Sequence, residues 1–168
     1  SDQMDISVDE AKALVKQYHS RVPFVKALMN GVINRLNDKA SAGSIRSILG
    51  RKCRFDLWEP DSFAMHKALP YREAVQTHGE TTRLKRAYTY KALNRLIQAS
   101  AADMTKKAMV DLYKAGKTPM IQIHDEMAMS VKSRTEAKEV AEIMENAVPL
   151  EIPNKTDIEI GPNWGEAT

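Results

Sequence analysis

Apolar and polar residues alternate along this chain with two distinct periods, one near 3.6 and one near 2. Val8, Ala11, Leu14, Val15 and Tyr18 recur every three to four positions and predict an amphipathic helix. Ser7 and Glu10 stand three residues apart ahead of it, the pattern of a capping box. Pro23 ends that helix or opens the next. The second helix has Val25, Leu28, Met29, Val32 and Leu36 on one face, and Gly43 is expected to close it. Residues 44–57 read as two short strands about Gly50, because Ile45, Ile48, Phe55 and Leu57 lie among β-compatible neighbours. Residues 59–80 hold two prolines and little periodicity, which predicts an irregular connection with room for a helical turn.

A long helix is predicted over about 82–115, with Leu93, Ile97, Ala101, Met104, Ala108 and Leu112 as its buried stripe. At roughly 1.5 Å per residue it spans about 50 Å. Gly116 stops it. Residues 119–123 and 127–131 read as apolar strands with His124-Asp125-Glu126 between them. Ser133 and Glu136 repeat the capping-box pattern before a helix to about Ala147, whose apolar face is Ala137, Val140, Ile143, Met144 and Val148. A last strand is expected over 156–160, before Gly161-Pro162-Asn163-Trp164. Helix, strand, strand, helix, strand in that order predicts an antiparallel sheet covered by helices, an α+β architecture.

Composition narrows this picture. The 168 residues suit one domain or a large fragment of one, and 43% hydrophobic with 28% charged residues is an ordinary globular balance. No run approaches the roughly 18 apolar residues of a membrane span. Residues 1–5 have no basic region followed by an apolar stretch, so no secretory signal is expected there. The single cysteine, Cys53, excludes an internal disulfide and fits a cytoplasmic setting. A net charge of +3 is too small to argue nucleic-acid binding by itself, so the placement of charge matters more. Arg46, Arg51, Lys52 and Arg54 cluster in the predicted hairpin. They form either a solvated face or a ribbon that contacts phosphates.

Two patterns carry candidate chemistry. His124-Asp125-Glu126 is poor turn chemistry, since a tight hairpin favours Asn-Gly or Asp-Gly. Local rules are often broken at functional sites. A carboxylate at the tip of an apolar hairpin suits a hard divalent cation such as Mg²⁺, and a charged, solvated turn is the alternative. Tyr90, Asn94 and Gln98 are spaced i, i+4, i+8 and are expected on one helical face. Asn and Gln can reach base edges in a minor groove, and an ordinary exposed polar face is the alternative. His19, His66 and His78 lack metal-ligand spacing, and no Gly-rich phosphate loop or GxSxG elbow is present.

Asn94-Arg95-Leu96-Ile97-Gln98-Ala99-Ser100-Ala101-Ala102-Asp103 resembles the N-x-x-x-Q-G-[ST]-A-A-D stretch of family A DNA polymerases of the bacterial and podophage type. His124-Asp125-Glu126 resembles that family's motif C, Gly50-Arg51-Lys52-Cys53-Arg54 its G-R-[RK]-x-[RK] fingers hairpin, and Gly161-Pro162-Asn163-Trp164 its C-terminal ending. The resemblance covers nearly the whole chain from Val8 onward. It implies a partial fingers subdomain over 1–81 and the C-terminal half of the palm over 82–168. It also implies that Asp125 is one of two aspartates holding two Mg²⁺ ions, with His124 and Glu126 near the primer 3′ end. Asn94 and Gln98 are implied to contact DNA near the nascent base pair, and Arg51 and Arg54 to contact DNA from the hairpin.

The chain departs from the family pattern at Ala99, where many members have Gly, and at Tyr90, where the bacterial enzymes tend to carry Arg. The D-Y-S-Q-x-E segment of motif A, with its second aspartate, and the nucleotide-gripping helix of motif B do not occur. The resemblance therefore implies template-directed nucleotidyl transfer only with a partner polypeptide supplying motifs A and B. The implied ligands are primer–template DNA and a deoxynucleoside triphosphate. The competing reading is a non-catalytic DNA-binding or structural remnant. A metal-dependent nuclease would need a second acidic cluster, and none is evident in the sequence.

Overall fold

The computed structural model describes residues 6–167, so the segment read above for a secretory signal lies outside them. The fold is α+β, and every strand pairing is antiparallel. The described residues fall into two compact units. One joins the chain up to Arg46 with Gly50–Leu96, and the other joins Ser47–Leu49 with the chain from Ile97 onward.

In the first unit, helix α1 spans Val8–Arg21 and helix α2 spans Pro23–Asn37. The Ser7–Glu10 capping box forms in full: the Ser7 hydroxyl accepts from the Glu10 N–H, and the Glu10 carboxylate accepts from the Ser7 N–H at 2.9 Å. This holds the Glu10 carboxyl below the usual carboxylate range, chiefly through its hydrogen bond with the Ser7 side chain. Pro23 opens α2, where a missing N–H costs nothing. The helix ends six residues before Gly43. Asp38 adopts an extended backbone, and its carboxylate accepts from the Ala40 N–H at 3.0 Å. A short 3₁₀ turn, Lys39–Ser41, fills the gap.

Gly43 instead marks a close approach. Its φ is +68°, and a Cβ there would lie 2.2 Å from the guanidinium carbon of Arg86. Arg86 reaches this place because its Nη1 donates to the Phe55 carbonyl at 2.8 Å and its guanidinium lies 4.4 Å over the Trp58 ring.

Strands β1 (Ser44–Arg46) and β2 (Lys52–Arg54) form the predicted hairpin, with Ile45 opposite Cys53. Ile45 and Phe55 join Val32, Leu36 and Ala92 in the core of this unit, with Cys53, Leu93 and Leu96 packed around them. Leu36 is fully buried, and truncating such a leucine to alanine costs about 2–5 kcal/mol.

The stretch expected to be irregular is ordered. β3 (Leu57–Pro60) lies between β4 (Leu69–Pro70) and β5 (Leu84–Arg86), and helix α3 (Tyr71–His78) follows β4. The two prolines misled the expectation because both are tolerated here: each is the last residue of its strand, where a missing N–H disturbs the ladder least.

The long helix is also shorter than predicted. Leu84–Arg86 pairs with β3, Tyr88 takes a left-handed φ of 60°, and a 3₁₀ turn covers Thr89–Lys91. Helix α4 then runs Ala92–Lys114, 23 residues or roughly 34 Å. Its inward face differs from the predicted stripe. Ile97 and Ala101 are exposed, whereas Ala92, Asp103, Ala108 and Leu112 are buried. The predicted stripe counted only apolar residues, and the true face includes the carboxylate of Asp103.

In the second unit, β6 (Ile121–Ile123) and β7 (Glu126–Ala128) form a two-stranded ribbon. Helix α5 spans Arg134–Asn146; Ala137, Val140 and, just beyond it, Val148 are buried as the periodicity predicts, Ile143 and Met144 are half-buried, and Ala141 and Ala147, outside the predicted face, are buried as well. Its capping box is half formed. The Ser133 hydroxyl accepts from the Glu136 N–H at 3.1 Å, but the Glu136 carboxylate takes the Lys132 N–H at 2.7 Å. The predicted strand over 156–160 is absent, since no strand partners it among the described residues and a lone extended segment is not a sheet. The Glu145 carboxylate holds its start by accepting from the Thr156 N–H at 2.9 Å.

Candidate functional site

The β6–β7 register pairs Ile123 with Glu126, so the turn consists of His124 and Asp125 alone, and Glu126 belongs to β7. His124 has φ 55°, the left-handed conformation that such a turn imposes and that histidine adopts at a cost. The Gln122 side-chain amide donates to the His124 carbonyl and steadies the bend from within β6. His124, Asp125 and Glu126 are all exposed. Alternation along a strand sends successive side chains to opposite faces, so the residues that follow each other out of β6 diverge in direction. The turn therefore presents a carboxylate at its tip on a short ribbon.

The oxygen donors here suit a hard cation, which is usually held by one or two carboxylates together with substrate phosphates. Among the described residues no group of three or more His, Cys, Asp or Glu converges to hold a metal.

Asn94 and Gln98 lie one turn apart on α4 and are both exposed, so one helical face carries both amides. Tyr90 does not share that helix. It sits in the 3₁₀ turn before α4, 68% exposed, with the Lys91 ammonium 5.6 Å from its ring. Arg51 and Arg54 are exposed on the β1–β2 hairpin, where the Arg54 carbonyl accepts from Arg95 at 3.3 Å.

Sequence reasoning missed a buried polar link in the second unit. Asp103, 6% exposed, accepts from the Ser47 hydroxyl 56 residues away, and the Ser100 hydroxyl accepts from the Ile48 N–H at 3.1 Å. Apolar periodicity carries no signal for this link, because the partner of Asp103 lies 56 residues away. His66 bonds the Ser62 hydroxyl at 2.9 Å and meets the His78 ring edge-on at 5.3 Å. No helix of the described residues is long and apolar enough to cross a membrane.

The chain is similar to known proteins along nearly all of its length. The chain is 37% identical over 158 residues to a DNA-directed DNA polymerase of Pseudomonas phage M6, a match covering 94% of this chain and 20% of that protein. It is 29% identical to the thermostable DNA polymerase I of Thermus filiformis, covering 99% of this chain and 18% of the relative. The chain thus spans about a fifth of the length of these curated relatives. Among solved structures, the POL domain of Pol1 from M. smegmatis, in complex with DNA primer-template and dNTP, superposes with a TM-score of 0.63 at 30% identity. That match covers 90% of this chain and 24% of the other. The model of DNA polymerase family A matches residues 1–166, and the chain belongs to that family.

Proposed function

We propose that this chain is the C-terminal portion of a template-directed DNA polymerase, with residues 1–81 part of the fingers and 82–168 half of the palm. The observation that carries this reading is the His124–Asp125 turn, which presents an exposed carboxylate on a strained hairpin within a family A sequence. The reaction is attack of a primer 3′-hydroxyl on the α-phosphate of a deoxynucleoside triphosphate, with pyrophosphate leaving. Asp125 binds Mg²⁺ jointly with an aspartate that this chain lacks. When bound, a pair of such ions stabilises the attacking and leaving oxygens of an in-line displacement.

The chain's own residues orient the reactants. His124 and Glu126 flank Asp125 beside the primer end. Asn94 and Gln98 present amides to the minor groove at the nascent pair, where acceptors occur in every base pair. Arg51 and Arg54 neutralise backbone phosphates. Incorporation needs motifs A and B, which these 168 residues do not include, and it takes place in the cytoplasm of a bacterium or phage-infected host. Co-production with a polypeptide carrying motifs A and B, followed by primer extension, tests the proposal. The pair extends a primer and neither part alone does so. Failure of a stable, DNA-binding pair to extend would overturn the reading.

A further inference from the structure

Residues 88–91 leave the fold between two pinned points. Ala87 is buried, and its N–H donates to the Leu57 carbonyl at 2.9 Å. Ala92 is fully buried in the core of the first unit. Between them the 3₁₀ turn Thr89–Lys91 closes through the Lys91 N–H, which donates to the Tyr88 carbonyl at 2.9 Å. Tyr88, Tyr90 and Lys91 are exposed. The backbone is thus fixed at both ends while three side chains stand in solvent.

This turn is built at a cost. Tyr88 has φ 60° and ψ 17°, a left-handed conformation that a bulky side chain rarely adopts and that glycine or asparagine takes far more readily. No side-chain hydrogen bond caps the turn there. Strain of this kind is retained where the side chain is needed at that place.

The two rings share a neighbour. The Lys91 ammonium lies 5.2 Å over the Tyr88 ring and 5.6 Å over the Tyr90 ring, so both rings turn a face to one cation. No ion pair among the described residues uses Lys91. Contacts between an exposed ammonium and a ring are weak and readily exchanged for an anion. Two aromatic faces beside one cation match a nucleotide whose base is unpaired, because rings stack on the base and the ammonium pairs with its phosphate. A base inside a duplex has both faces covered by its neighbours and does not fit.

We propose that Tyr88, Tyr90 and Lys91 form a stacking site for an unpaired nucleotide of a DNA strand, which holds the base by its ring face. This rests on the reading of the chain as part of a DNA polymerase, whose primer–template substrate has its unpaired stretch in the template overhang. It gives Tyr90 a role distinct from that of Asn94 and Gln98, whose amides address base edges.

The experiment is fluorescence anisotropy of the 168-residue chain with labelled oligothymidine, and with a blunt duplex of the same length, across salt concentrations. It is repeated with Tyr90→Leu, Tyr90→Phe, Tyr88→Asn and Lys91→Gln. Asparagine removes the ring of Tyr88 and still tolerates the left-handed backbone. Loss of one stacked base weakens binding by about 5- to 150-fold. Tyr90→Leu and Tyr88→Asn are each expected to lose single-strand affinity within that range, with the salt dependence and duplex binding unchanged. Tyr90→Phe keeps the ring and is expected to bind as the native chain does. Lys91→Gln is expected to lower the slope of log affinity against log salt by about 0.7.

No single-strand binding by the native chain, unchanged binding by Tyr90→Leu, or an equal loss on single strand and duplex would each overturn the proposal. So would a Tyr90→Phe variant that falls as far as Tyr90→Leu. Displacement of oligothymidine by deoxythymidine monophosphate at equal nucleotide concentration would assign the site to a free nucleotide and overturn the assignment to a strand. Binding needs no catalysis, so failure of this site is separable from failure of the polymerase reading, which primer extension reports.

Discussion

Ile123 and Glu126 face each other as the last rung of the β6–β7 ladder, which leaves His124 and Asp125 as the entire turn. A two-residue turn demands a left-handed residue, and His124 supplies it at φ 55° without the freedom of glycine. Strain of this kind persists where a side chain is needed at that place.

His124→Gly should therefore keep or slightly raise stability while lowering incorporation in the reconstituted enzyme. Relief of a left-handed conformation is worth about 1–2 kcal/mol and is offset by about 0.5–1 kcal/mol of glycine's chain entropy. Thermal melting and primer extension measured together check this. A large fall in melting temperature would mean that the imidazole holds the hairpin together and has no separate role.

Glu145 gives a pH-dependent contact. The Thr156 N–H holds its carboxyl below the ordinary carboxylate range, with help from Lys155 at 3.4 Å, although burial works in the opposite direction. A carboxylate whose folded pKa is lowered stabilises the fold above its unfolded pKa, near 4.3, and loses that contribution as pH falls through the folded value. The Thr156 amide resonance should accordingly titrate with a midpoint below that ordinary value, and Glu145→Gln should abolish the step. A midpoint at or above it would show that the contact does not form in solution.

Exposed apolar surface predicts the behaviour of the isolated chain. No residue of α1 is buried, and Leu14, Val15, Phe24, Ile121, Ile123, Ile152 and Ile158 are all exposed. Patches of this kind favour association, and a two-stranded ribbon leaves both edges open to pairing. Light scattering across concentration should show self-association that the partner polypeptide suppresses. A concentration-independent monomer with a sharp melt would count heavily against a palm divided between polypeptides.

Much of this was legible in the sequence. The Ser7–Glu10 box, the β1–β2 hairpin and the inward face of α5 follow from local chemistry, because cap geometry and short-range periodicity determine them. The candidate turn was visible as a breach of turn preference, and the structure narrows it to His124 and Asp125. The β4–β3–β5 sheet was not visible, since its strands are two to four residues long and end in prolines or basic residues that local rules read as loop.

Tyr90 was grouped with Asn94 and Gln98 by spacing alone. Pairing of Leu84–Arg86 with β3 shortened the helix and put Tyr90 in the turn before it. The inward position of Asp103 depends on Ser47, a partner 56 residues away that periodicity cannot reveal.

The central claim is that Asp125 carries negative charge to the reacting phosphate. Single-turnover nucleotide incorporation by the reconstituted enzyme, with circular dichroism as the folding control, tests it most directly. Loss of one preorganised electrostatic group costs about 10² to 10³ in rate, and a direct metal ligand costs at least that. Loss of a neutral hydrogen bond costs about 0.5–1.5 kcal/mol, a factor of roughly 2 to 13. Asp125→Ala is therefore predicted to lose at least two orders of magnitude while remaining folded, and Gln98→Ala about one order at most. A folded Asp125→Ala enzyme with near-native incorporation would contradict the assignment of the turn and the polymerase reading built on it.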